Sequence, residues 1–130
     1  MTMHSTNYRN TLIVVSDDCP ATAATPPTKE GTIAERQFAR LSAAPYAMTS
    51  DELLLAVEND RKGPVMAEAF FARPQACLRA SPLVKKYGYG LHHNREGRVA
   101  LVAVESEAYA RLLADPNVEK RPGMRSARKG

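Results

Sequence analysis

The stretch YGLHHNREGRVALVAV, residues 89–104, constrains the fold more than any other part of the chain. Two runs of strand-forming residues flank Asn94-Arg95-Glu96-Gly97, a loop that closes an antiparallel hairpin with Gly97 left-handed. Strands over Tyr89–Asn94 and Arg98–Val104 follow. Setting Asn94 opposite Arg98 places Leu91 across from Leu101 and Tyr89 across from Ala103, with His93 on the same face. Gly88, Gly90 and His92 point the other way. The adjacent histidines therefore diverge and cannot both ligate one metal from a regular strand. Two glycines beside His92 mark close approach of either a ligand or a packed helix.

The rest of the pattern supplies helices around this hairpin. TLIVVS, residues 11–16, reads as a strand that is apolar on both faces and so central. Residues 17–31 carry no hydrophobic period and form a long loop. Thr32 with Glu35, and Thr49 with Glu52, are capping boxes opening two helices. The first runs over 33–42 with Ala34, Phe38 and Leu41 inward. The second buries Leu53, Leu54 and Val57 and stops at Lys62-Gly63-Pro64. A third helix over 65–72 offers Met66, Phe70 and Phe71 to the core. Ser81-Pro82 caps one turn or two that Gly88 ends, and Ser106 caps a last helix over 107–114 with Tyr109, Leu112 and Leu113 inward. This order predicts an α+β fold: a small, mostly antiparallel three-stranded sheet with four to five helices on one face. The segment around Val118 is a candidate edge strand only. One domain over residues 1–118 and a basic, flexible tail over 119–130 complete the expectation.

Charge looks like a hint of nucleic acid until it is located. Lys120, Arg121, Arg125, Arg128 and Lys129 all lie in residues 120–130, which leaves 13 basic against 14 acidic residues before them. The tail is thus the one polyanion-binding candidate, weighed against a plain solvated terminus. No apolar run reaches the length of a signal-peptide core or a membrane helix, so the expected address is the cytoplasm, with Cys19 and Cys77 reduced.

Chemistry concentrates in CLRASPLVKKYGYGLHHN, residues 77–94, which contains no acid. Arg79 and the helix start at Ser81 suggest an anion site, extended by Tyr89 and His92. Lys85 and Lys86 complement a helix C-terminus and face water. Cys77 near a cation has the setting of a reactive thiol, with His92 or His93 as base. Cys19 with Asp17, Asp18 and His4 matches no zinc spacing, so no metal and no cofactor is expected.

HSTNY at 4–8, DDCPAT at 17–22, TSDELLLAV at 49–57, the run from Cys77 to Leu101, YARLLADP at 109–116 and MRSAR at 124–128 resemble a widespread bacterial family of small proteins catalogued as a domain of unknown function. Many members carry Trp where this chain has Tyr89. The resemblance implies a free-standing cytosolic protein and no particular activity. The leading expectation is a ligand-binding or regulatory domain for an anionic small molecule, through Cys77, Arg79, Ser81, Tyr89 and His92. The alternatives are an enzyme using Cys77 or His92, and a nucleic-acid partner acting through the tail.

Overall fold

In the computed structural model, which describes residues 5–126, strand β1 (Thr11–Val14) is followed by helices α1 (Ile33–Ala43), α2 (Ser50–Lys62) and α3 (Ala67–Phe71). A 3-10 turn (Leu78–Ala80), α4 (Pro82–Lys85), β2 (Tyr89–His93), β3 (Val99–Ala103), α5 (Glu107–Ala114) and β4 (Glu119–Pro122) complete the chain. The hairpin has the register its pattern predicts, Tyr89 opposite Ala103 and Leu91 opposite Leu101. Gly97 closes it at φ +80°. β1 lies centrally, antiparallel to β2, and its Leu12 and Ile13 are fully buried.

The sheet has four strands in the order β3-β2-β1-β4 and is mixed, because β4 runs parallel to β1. The first residues of the expected tail are therefore an edge strand. Glu119 N–H donates to Asn10 O and Gly123 N–H to Val14 O, so backbone pairing outweighs the polar side chains. Lys120 donates to the carbonyls of Asp115 and Val118, Arg121 meets Glu119 at 2.9 Å, and Arg125 approaches Asp17 at 3.7 Å. Three tail cations are thus engaged at home. Arg128 and Lys129 lie outside the described residues.

Helices cover both faces, not one. Ile13, Leu91 and Val99 pack with Leu41, Leu53, Val57 and Leu83 from α1, α2 and α4. On the other face Leu12 and Val102 pack with Tyr109 of α5. A β-carbon on Gly90 would sit 2.6 Å from Cε2 of Tyr109, so this glycine makes room for a ring. The backbone patch beside His92 is a helix contact. Gly88 is likewise covered, by Ala21, Ala23 and Ala24 of the 17–31 loop.

Two apolar assignments are corrected. α3 buries none of its residues, and Met66, before its first turn, is 71% exposed; five residues are too few to present a core stripe. Leu113 is also exposed, because Tyr109 and, in part, Leu112 fill the small contact that α5 makes with the sheet. Thr49 and Glu52 form the full reciprocal box, whereas Glu35 turns to Gly31 N–H and Arg36 and leaves only half a box at Thr32.

The N-terminal segment is clamped to the start of α2. Thr6 donates N–H and Oγ1 to the Asp51 carboxylate at 2.9 and 2.6 Å, Ser5 donates at 2.9 Å, and Asp51 N–H returns to Asn7 Oδ1. Each bond to a charged acceptor contributes more than a neutral one. Asp51→Ala is expected to lower stability by about 1–3 kcal/mol in urea unfolding.

Candidate functional site

An apolar concavity lies between α1, α2 and residues 75–82. Ile33, Leu54, Val57 and Phe70 make it apolar, Cys77, Ala80 and Ser81 form one wall, and Arg61 stands among its lining residues; its volume is about 210 Å³. Arg40 braces α1 against α2 through a two-pronged pair with Asp60 at 2.6 and 2.7 Å, and that pairing holds the Asp60 carboxyl below its usual range.

One polar side chain in this cleft is out of place. Gln37 sits on the inward stripe of α1 between Ala34 and Leu41 and is only 2% exposed. Its Oε1 accepts from Ser81 Oγ at 2.6 Å. Ser81 Oγ in turn accepts Leu83 N–H at 3.1 Å, so the hydroxyl proton is the one directed at Gln37. The Gln37 NH₂ group has no partner among the described residues and belongs to a residue lining the cleft. Among the described residues the buried side-chain atom without a partner is His93 Nε2, not this amide, so the edge of the Gln37 NH₂ reaches the cleft surface.

A second, polar cleft of about 300 Å³ adjoins the first and shares Gln75 and Cys77 with it, and Ser5, Thr6, Asn7 and Tyr8 line the remainder. Tyr8 donates its hydroxyl to Cys77 Sγ at 3.3 Å. Its ring stands edge-on to His93, with centroids 5.5 Å apart, and the Arg121 guanidinium lies 6.0 Å above it. Burial, then the bond to Cys77, pushes the Tyr8 phenol up, while Arg79 and Arg121 pull it down. Tyr8 therefore stays a donor at neutral pH.

The residues expected to share a site are dispersed. Cys77 and Ser81 meet in the apolar cleft, but Ser81 is spent on capping the single turn of α4 and on Gln37. Arg79 Nε donates to Pro122 O at 2.6 Å and Arg79 O accepts from Met124 N–H, which fastens the C-terminal strand. Tyr89 is buried against Phe38 of α1. His92 lies on the opposite face of β2, where its Nδ1 meets Tyr46 OH at 2.8 Å, and burial pushes the imidazole down. Tyr8, not a histidine, is bonded to Cys77. Both cysteines are free, and among the described residues no three His, Cys, Asp or Glu side chains gather as for a metal; His4 lies outside them.

Sequence reasoning missed Gln37, Arg61, Gln75 and Tyr8. Gln37 alone left a signal, a polar residue at helical spacing on an apolar stripe. The architecture and its cleft define a small α+β domain with a mostly apolar cavity. The model of a family of unknown function, DUF6157, matches residues 3–129, and the chain belongs to that family. None of the curated proteins and none of the solved structures compared with it matches. Among the described residues no helix is long and apolar enough to cross a membrane.

Proposed function

We propose that this chain is a cytoplasmic ligand-binding domain for a small, partly apolar anion seated in the cleft between α1 and α2. The carrying observation is Gln37, whose amide NH₂ has no protein partner among the described residues and edges a mostly apolar cavity that also has Arg61 and Glu58 in its lining. An acceptor such as a carboxylate oxygen satisfies that amide, and Arg61 supports its charge. Ile33, Leu54, Val57 and Phe70 take the apolar body. The anion reading thus moves from Arg79 and Ser81 to Gln37 and Arg61, which line the cleft, although Arg61 Nε also donates to Gly31 O at 3.1 Å.

Thermal unfolding with benzoate, benzamide and benzylamine tests this reading. Benzoate and benzamide should raise Tm, benzoate more, and benzylamine should not. Gln37→Leu should weaken both by roughly tenfold, the effect of losing one buried hydrogen bond. Arg61→Gln should remove only the preference for benzoate. No stabilisation by any of the three probes would overturn the reading.

A further inference from the structure

We infer that the ligand of the α1–α2 cleft is a phosphomonoester of a small apolar group, its phosphate held in an adjoining basic groove by Lys29, Arg61 and Lys86. The inference rests on the ligand reading above and names the chemical class. The groove has a volume of about 300 Å³ and shares Ile33, Arg61 and Pro82 with the apolar cleft, so one molecule can reach both. Lys29, Lys86 and Tyr87 add to its lining, which contains no Asp or Glu.

Neighbouring cations are neutralised where they stand. Arg36, Arg40 and Lys62 of α1 and α2 each meet a carboxylate. Among the described residues Lys29, Arg61 and Lys86 meet none. They come from the 17–31 loop, α2 and the C-terminal end of α4, so it is the fold and not local composition that gathers them. Like charges gathered in one groove repel unless an anion shares it. Arg61 is tethered there, because its Nε donates to Gly31 O at 3.1 Å and its two Nη groups remain as a fork. Such a fork suits two oxygens of one phosphate. A carboxylate answers one of the three cations. A phosphomonoester carries about two negative charges at neutral pH and more acceptor oxygens, and so answers the set. Its apolar group then lies against Ile33, Leu54 and Val57.

Calorimetric titration of the whole chain with phenyl phosphate, benzoate and inorganic phosphate tests this at neutral pH. Phenyl phosphate should bind roughly tenfold tighter than benzoate, and inorganic phosphate, which lacks the apolar body, more weakly than phenyl phosphate. Lys29→Gln combined with Lys86→Gln should remove most of the preference for phenyl phosphate over benzoate. Arg95→Gln combined with Arg111→Gln, an equal loss of charge on the hairpin loop and α5, should leave that preference intact. All four side chains are exposed, so both double variants keep the fold. Equal affinity for phenyl phosphate and benzoate, equal affinity for phenyl and inorganic phosphate, or an equal loss in the two double variants would overturn the inference while leaving the Gln37 reading in place if benzoate binds. Should benzoate fail to bind while phenyl phosphate binds through Lys29 and Lys86, the Gln37 reading falls and the phosphate site stands. Binding of none of the three overturns both.

Discussion

Acidification from about pH 6.5 to about pH 5 should cost this protein on the order of 2 kcal/mol of stability, most of it at one residue, His93. The side chain is fully buried, and its Nδ1 meets Leu91 O at 3.2 Å. Its Nε2 has no partner among the described residues. Burial pushes the imidazole down to about 4 from an ordinary 6.5. The sign follows from proton binding. Between those values the unfolded chain holds the proton and the folded chain does not, so lowering the pH favours unfolding. The loss begins near pH 6.5 and levels off below about 4. His93→Leu should flatten this dependence and leave stability at neutral pH little changed, since it also removes an unpaired nitrogen. Urea unfolding at a series of pH values measures both. An equally steep loss in His93→Leu would mean that His92, whose imidazole burial also pushes down from 6.5, carries the effect instead.

Gly90→Val is expected to be the most damaging conservative change in the sheet. The first added carbon alone would stand 2.6 Å from Tyr109 Cε2 and 3.1 Å from Ile13 O. The ring cannot swing aside freely, because its hydroxyl accepts Val15 N–H at 3.0 Å. Overpacking of this kind costs about 1–3 kcal/mol for alanine, and valine should reach or exceed the upper end. Shrinking the partner should restore part of the loss, so Gly90→Ala with Tyr109→Leu should be less unstable than the two single effects added together. Strict additivity in urea unfolding would show that the glycine serves its backbone and not the ring.

These two residues show how far the sequence could be read. Alternation along the hairpin placed His93 and Gly90 on opposite faces and gave the register, because strand period and turn chemistry are local properties. Capping residues at Thr49, Ser81 and Ser106 marked helix starts for the same reason. What covers Gly90 was not local: Tyr109 lies 19 positions away, and α5 crosses to the face left bare by α1 and α2. β4 was obscured because Glu119, Lys120 and Arg121 look like a solvated tail, yet the pairing is made by backbone that any sequence supplies. The acid-free stretch around Arg79 drew attention by its composition. Folding then spent Arg79 on Pro122 and Ser81 on Gln37, and the unpaired donor that remains belongs to a helix some 40 residues earlier.

The account stands on that donor. Titration of uniformly ¹⁵N-labelled, reduced protein with benzoate, followed through the side-chain amide resonances, tests it directly. The Gln37 NH₂ pair should move saturably, together with backbone signals of Leu54, Val57 and Cys77 that surround the same cleft. Saturable shifts centred on Arg79 and His92, with the Gln37 amide unmoved, would contradict it.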